Sequence, residues 1–230
     1  MTIARTRPLT ETQSIPGPAG GLESIIDLPS DSSASSGPAE PRAAVICHPH
    51  PLHGGMMTNK VVHTLAKAFN DFGIAAVRFN YRGVGASAGR YDEGIGETDD
   101  ALAVMDWAAR RWPGARLWLG GFSFGGGVAI RAAGARRIEG LVTVAPAVRE
   151  VSVPTGDLPR VPWLLIQGDQ DELVDAQDVQ KWAAALAVPP QIALLPGVDH
   201  FFHGRLTELR TVVLDWLKGG PDLPRPAAAG

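Results

Sequence analysis

Two serines lie at the centre of Gly-x-Ser-x-Gly pentapeptides, in which paired glycines relieve the crowding around a strained backbone and leave a hydroxyl exposed for nucleophilic attack. Ser123 is the centre of GFSFG and Ser87 is the centre of GASAG. Such a nucleophile requires a strand before it and a helix directly after it. The apolar stretch RLWLG leads into Ser123 and the small residues GGVAIRAAG follow, whereas polar and glycine-rich residues follow Ser87. We therefore predict that Ser123 is a nucleophile and that Ser87 is a loop serine.

Possible partners of such a serine stand after two later apolar stretches. A serine hydroxyl is a weak nucleophile at neutral pH, and it needs a histidine to accept its proton and a carboxylate to orient that histidine. The stretch VPWLLIQG is followed by three aspartates, Asp169, Asp171 and Asp175, and the stretch QIALLP is followed by two histidines, His200 and His203. Because the carboxyl ends of parallel strands share one edge of a sheet, one residue of each type can meet the serine there.

A third group of candidate side chains lies in the early loop HPHPLHGG, which contains His48, His50 and His53. Apart from Cys47, this stretch offers no carboxylate or thiolate at metal-ligand spacing, so a shaped loop is favoured over a metal site. Cys47 ends a buried stretch, and we expect it to pack inertly rather than to react.

The charge pattern gives no sign of a polyanionic partner. The formal net charge is −3, which provides no basic field for nucleic acid. Arg82, in YRGVG, is a cation that could bind an acidic substrate. We expect it instead to form a structural ion pair with Glu97 or Asp100.

The elements that must position these residues alternate between apolar runs and helical patterns. The predicted strands are 43–47, 74–79, 116–121, 138–146, 161–168 and 191–196. The predicted helices are 59–73, 96–111, 126–134, 176–187 and 204–218. The strands are continuously apolar rather than apolar at every second residue, which indicates a parallel sheet covered by helices on both faces, an α/β fold.

Length and composition favour one domain over 1–230, with a core from about 20 to 218. The stretch 29–42 is rich in Ser, Pro and Ala and predicts a surface loop between two early strands, and 219–230 predicts a flexible tail. No apolar run approaches the roughly 20 residues that span a bilayer, and the amino-terminal residues do not resemble a secretory signal. A single cysteine cannot form an internal disulfide, and we expect a cytoplasmic protein that binds neither membrane nor nucleic acid.

Five motifs in order, CHPHPLHGGMMTNKVV, RFNYRGVGASAG, GGFSFGG, QGDQDELVD and GVDHFFHG, resemble the small, lidless bacterial α/β-hydrolases of the dienelactone-hydrolase-like branch. The resemblance spans about residues 20–218. It implies an α/β-hydrolase fold with a mostly parallel central sheet of seven to eight strands. It also implies a serine hydrolase that needs no cofactor and acts on a small-molecule ester.

The same resemblance assigns roles to individual residues. It implies Ser123 as nucleophile, His200 as base and Asp171 as the acid, with Asp169 as the second choice. Asp175 is then the residue that caps the following helix.

The resemblance also implies an oxyanion hole, formed by the backbone N–H of Phe124 and one N–H of the loop after 43–47. Pro49 and Pro51 have no N–H, which leaves His50 or Leu52, with Leu52 preferred.

The residues between about 146 and 161 are too few for an independent helical cap, so an open site without a cap domain is expected. We expect hydrolysis of carboxylic esters or thioesters through an acyl-enzyme. A peptidase, a lactone hydrolase or a lyase could use the same residues, and a non-catalytic binding protein could share the fold.

Overall fold

The computed structural model describes residues 9–30, 40–153, 158 and 160–219. Most of the predicted loop 29–42 and nearly all of the predicted tail 219–230 lie outside these residues. The strands are β1 Thr10–Gly17, β2 Gly20–Asp27, β3 Arg42–Cys47, β4 Ala75–Phe79, β5 Arg116–Phe122, β6 Gly140–Val144, β7 Trp163–Gly168 and β8 Gln191–Leu195. The helices are α1 Lys60–Asp71, α2 Ile95–Arg111, α3 Phe124–Ala133, α4 Ala176–Ala184 and α5 Leu206–Gly219, and a 3₁₀ turn lies at Pro51–His53.

All eight strands form one sheet in the order β1-β2-β4-β3-β5-β6-β7-β8. The pairs from β4 through β3, β5, β6 and β7 to β8 are parallel, whereas β1 and β2 form an antiparallel hairpin that joins the sheet antiparallel to β4. The predicted mostly parallel sheet of seven to eight strands is therefore confirmed, and the carboxyl ends of β3 to β8 lie along one edge.

Both faces of the sheet are covered, as the continuous apolar strands predicted. On one face α2 and α3 pack together over side chains such as Val45 and Leu119. On the other face α1 and α5 pack together over the alternate side chains of the same strands, for example Ile46 and Val142. A strand buried on both sides has no need of polar residues at every second position.

The strand β1 was not predicted, because its sequence TETQSIPG buries only Ile15 completely and otherwise consists largely of polar or exposed residues. It lies before residue 20, where the predicted core begins. The helix α3 begins two residues earlier than predicted. Its first residues are FGGG, and glycine weakens the helical pattern that a sequence can show.

The connection between β6 and β7 covers residues 145–162, of which the structure describes 145–153, 158 and 160–162. A segment of this length is too short for a separate helical cap domain. Among the helices in the described ranges, none is long and apolar enough to cross a membrane.

Candidate active site

Ser123 lies at the turn between β5 and α3, at the carboxyl edge of the sheet. Its backbone has φ 56° and ψ −122°, a left-handed conformation that non-glycine residues rarely adopt. The surrounding hydrogen bonds fix this conformation, because the Ser123 N–H donates to Val144 O of the neighbouring strand at 2.9 Å and its carbonyl accepts from the N–H groups of Gly126 and Ala147. The side chain is thereby held at the edge, where Ser123 is 8% exposed.

The two glycines of GFSFG are required by close packing. A Cβ on Gly125 would overlap the carbonyl oxygens of Cys47 and His48, and a Cβ on Gly121 would overlap the Gly125 carbonyl. The first turn of α3 therefore lies directly against the end of β3. This contact brings the loop after β3 next to Ser123.

His200 reaches Ser123 from the loop after β8. Its Nε2 is 3.1 Å from Ser123 Oγ, and its Nδ1 is 2.9 Å from Asp171 Oδ2. A carboxylate can only accept, so the ring proton lies on Nδ1 and leaves Nε2 free to accept from the hydroxyl. The imidazole packs against Phe122 and Phe201, and this packing holds the ring in place.

The Asp171 side chain is completely buried and is surrounded by donors. Its Oδ1 accepts the backbone N–H groups of Leu173 and Val174 at 3.0 and 2.7 Å, and its Oδ2 accepts Gln167 Nε2 at 2.9 Å. With the Nδ1–H of His200, four groups donate to one carboxylate. A buried charge is tolerated only when it is hydrogen-bonded in this way.

The alternative acids and bases lie elsewhere. Asp169 accepts the Gly197 N–H, and Asp175 caps α4 by accepting the Asp178 N–H, the role that was predicted for it. His203 is largely exposed, and its Nδ1 bonds Asp199. Ser123, His200 and Asp171 are therefore the candidates that the fold brings together.

The loop after β3 has two kinds of histidine. His48 is fully buried and joins two strands, because its Nδ1–H donates to Pro49 O while its Nε2 accepts the Tyr81 N–H that follows β4. Burial lowers the pKa of His48 to about 3, so its ring stays neutral. His50 and His53 stack on each other at 4.4 Å, away from these contacts, so the three rings do not converge on one point.

The two predicted oxyanion donors of this loop differ in their hydrogen bonds. The Leu52 N–H donates to the Nδ1 of His50 at 3.1 Å. The N–H of His50, like that of Phe124 at the start of α3, has no acceptor within the part of the chain that the structure describes. The Nε2 of His50 lies 3.1 Å from Glu150 and 3.2 Å from the Tyr91 hydroxyl, and burial lowers the pKa of this histidine.

Three other residues singled out in the sequence, Ser87, Arg82 and Cys47, have structural roles. Ser87 lies in a loop, where its hydroxyl donates to Asn80 O at 2.7 Å and accepts the Glu23 N–H at 2.9 Å. Arg82 forms the predicted ion pair with the buried Asp100, with two side-chain hydrogen bonds of 2.9 and 3.0 Å. Burial raises the pKa of Cys47 to about 12, which keeps this thiol protonated and unreactive.

Sequence reasoning missed three residues close to this site: Gln167, Tyr91 and Glu150. Gln167 is a polar residue within an otherwise apolar strand, and that interruption was the available signal. Tyr91 and Glu150 lie in loops, and no spacing in the sequence indicates that both reach His50.

Solved structures of other proteins share this fold. An α/β serine hydrolase homologue from Coxiella burnetii is 41% identical, covers 94% of this chain and 100% of its own, and has a TM-score of 0.82. An α/β serine hydrolase without a lid from Xanthomonas campestris is 38% identical, covers 98% of this chain and 100% of its own, and has a TM-score of 0.83. A dienelactone hydrolase from Anabaena variabilis, 17% identical with a TM-score of 0.74, covers 92% of this chain and 98% of its own and shows similarity of fold alone.

The fold and these relatives define the class of protein, which is an α/β serine hydrolase of the lidless type. The resemblance predicted from the five motifs is confirmed. The family model described as serine aminopeptidase, S33, matches residues 39–155, half of the chain. The chain belongs to this family.

Proposed function

We propose that this protein hydrolyses carboxylic esters or thioesters of small molecules through an acyl-enzyme formed on Ser123. The observation that carries the proposal is the continuous series of contacts from Ser123 Oγ through His200 to the buried Asp171. It gives the hydroxyl a base and gives the base a fixed orientation, which a serine alone lacks.

The reaction proceeds in two balanced halves. First, the Ser123 oxygen bonds to the carbonyl carbon while His200 Nε2 takes the hydroxyl proton. The tetrahedral intermediate then collapses, the bond from carbon to the leaving oxygen or sulfur breaks, and His200 returns the proton to that atom. A water molecule next attacks the acyl-enzyme with the same base, which releases the acid and restores Ser123. Asp171 stabilises the imidazolium that forms in each half, and no step requires a cofactor.

The negative charge on the former carbonyl oxygen needs two N–H donors that face it. We assign these to Phe124 and His50. The preference for Leu52 is dropped because the Leu52 N–H is already engaged by the His50 ring. In this assignment the neutral His50 ring shapes its own loop, and its backbone N–H is left for the oxyanion.

Amide hydrolysis is the second candidate, because the family description names a serine aminopeptidase. The same residues would act, with the proton of His200 delivered to an amine. A lactone hydrolase or a lyase would also use this series, whereas a non-catalytic binding protein would have no need of the ordered contacts around Asp171.

The test compares purified wild-type protein with Ser123→Ala, His200→Ala and Asp171→Asn on short-chain esters, thioesters, lactones and aminoacyl nitroanilides. Loss of Ser123 or His200 should lower turnover by up to about a millionfold, and Asp171→Asn by about ten-thousandfold. Ser123 should also be labelled by a fluorophosphonate probe. Turnover that persists in Ser123→Ala would refute the proposal, and absence of labelling in the wild type would favour the binding protein.

A further inference from the structure

An open groove of about 400 Å³ lies between the loop after β3 and the loop that carries His200. Its apolar side chains include Met56, Phe201 and Leu206. Met56 and Phe201 are 43% and 45% exposed, although both are large and apolar. Exposed apolar side chains that line one concave surface are typical of a binding site, whereas scattered ones need no explanation.

One wall of this groove touches the base of the proposed reaction. The Phe201 ring meets the His200 imidazole edge to face, with 5.1 Å between the ring centres. The opposite wall, at Gly54 and Met56, directly follows the 3₁₀ turn after His50. The groove therefore adjoins two residues of the proposed reaction, His200 through the Phe201 ring and His50 through the 3₁₀ turn.

The direction of proton transfer decides which half of a substrate can lie there. His200 Nε2 must deliver its proton to the leaving oxygen or sulfur, so the leaving group has to lie on the side of Ser123 that the imidazole faces. The acyl group extends away from the imidazole, on the side of the scissile carbon opposite to the leaving atom. The wall in contact with the imidazole is thus placed to bind the leaving group.

The charges of the groove narrow the chemistry of that group. The charged or titratable side chains that line it are Lys60 and His203, and no carboxylate belongs to its lining in the described part of the chain. Asp199 does not line the groove and is bonded to His203, so a cationic alcohol would meet the Lys60 ammonium without an unpaired carboxylate in the lining. An uncharged aromatic alcohol would pack its ring on Phe201 and Met56.

We infer that this groove is the leaving-group subsite of the proposed hydrolase and that it selects esters of aromatic or similarly bulky apolar alcohols. The inference rests on the proposed function. It adds a substrate class, which the family and the proposed reaction leave open.

The test varies the alcohol and the acyl group separately, with methyl butyrate, benzyl butyrate, choline butyrate and methyl phenylacetate as substrates. The wild type should prefer benzyl butyrate in kcat/KM. Phe201→Ala should lower kcat/KM for benzyl butyrate by about tenfold more than for methyl butyrate or methyl phenylacetate, because the lost contact with the alcohol affects only the benzyl ester, whereas looser packing of His200 affects all three esters alike. Phe201→Leu should restore part of this difference, and methyl and benzyl butyrate should show the same rate of deacylation, because both form the same acyl-enzyme after the alcohol has left.

Leu194→Ala is the matched control, because Leu194 is 43% exposed on the edge strand β8 and does not line the groove. It should leave all four substrates unaffected. An equal loss on methyl and benzyl esters in Phe201→Ala, a loss that follows the acyl group, or a preference for choline butyrate would overturn the subsite.

Failure of the proposed function has a different signature. In that case the wild type would hydrolyse none of the four esters, or Ser123→Ala would retain the activity. A protein that hydrolyses the esters through Ser123 without distinguishing their alcohols refutes the subsite alone.

Discussion

The strained backbone of Ser123 predicts that Ser123→Gly yields a more stable protein than Ser123→Ala, although both lack the hydroxyl. A φ of 56° with ψ of −122° costs a residue that has a Cβ about 1–3 kcal/mol, and glycine adopts it freely. Glycine loses about 0.5–1 kcal/mol of this gain because its unfolded chain is more flexible. The midpoints of these two ranges, about 2 and about 0.75 kcal/mol, leave a net difference in the free energy of unfolding of about 1.3 kcal/mol, or a rise in Tm of about 3–5 °C for a chain of this size.

The assay is thermal and urea unfolding of both variants, followed by circular dichroism. Ser87 supplies a control inside an identical Gly-x-Ser-x-Gly frame, because its φ is not in the positive range. At that position the order should reverse, and Ser87→Gly should be less stable than Ser87→Ala. If Ser123→Gly is no more stable than Ser123→Ala, the turn stores no strain and the account of how the hydroxyl is held at the sheet edge is refuted.

Three further predictions concern the residues around the site. Ser87→Ala should destabilise the fold by about 1–3 kcal/mol, since it leaves the Glu23 N–H unpaired, and should leave kcat unchanged; a loss of kcat without a loss of stability would contradict this. Gln167→Leu should slow fluorophosphonate labelling about tenfold through the lost donor to Asp171, and should lower the free energy of unfolding by about 1–3 kcal/mol because the Val174 carbonyl loses the same donor; unchanged labelling would refute it. His48 has a folded pKa of about 3 and an unfolded pKa of about 6.5, so the unfolded state binds the extra proton and stability falls by up to about 1.4 kcal/mol per pH unit as pH decreases from 6.5 to 3. Urea unfolding at a series of pH values over this range gives the free energy of unfolding as a function of pH. This free energy should fall less steeply with decreasing pH in His48→Gln than in the wild type, and an equally steep fall in both would show that His48 does not titrate.

The parallel part of the sheet was predictable because burial on both faces leaves a direct trace in the sequence. The strand β3 reads RAAVIC and alternates its side chains between the two cores, so every position is apolar after the first. The hairpin strand β1 has no such trace. It pairs through its backbone at the edge of the sheet, and backbone pairing makes no demand on side-chain type.

Ser123, Asp171 and His200, which follow β5, β7 and β8, were predictable because few residue types can act as nucleophile, acid or base. The neighbours that hold them in place were not. Gln167 contacts Asp171 only because the loop folds back over the end of β7, where the same amide also donates to the Val174 carbonyl at 3.1 Å. His50 meets Glu150 across 100 positions of the chain. Contacts of this kind depend on how loops close, and no periodicity in a sequence records that.

The choice between His50 and Leu52 as the second oxyanion donor also depends on how a loop closes. Pro49 and Pro51 were excluded as oxyanion donors because proline has no backbone N–H. The remaining choice depends on the direction in which the His50 ring turns, because Nδ1 takes the Leu52 N–H only when the ring folds back over its own turn. Several neighbours set that rotation, including Phe124 at 4.9 Å and Tyr91 at 5.2 Å between ring centres.

The two pentapeptides show how one pattern can meet two physical requirements. In GFSFG the glycines 121 and 125 are there because a Cβ would strike backbone atoms, and the strained residue is the serine itself. In GASAG the glycines 85 and 89 have φ of 57° and 87°, so they carry the turn and leave the serine unstrained, with its hydroxyl bonded inward to the loop. A serine whose glycines make the turn is free to act as a structural hydrogen-bonding group. A serine that must itself make the turn, between a strand and a helix packed too closely for any side chain, directs its hydroxyl to His200 at the edge of the sheet.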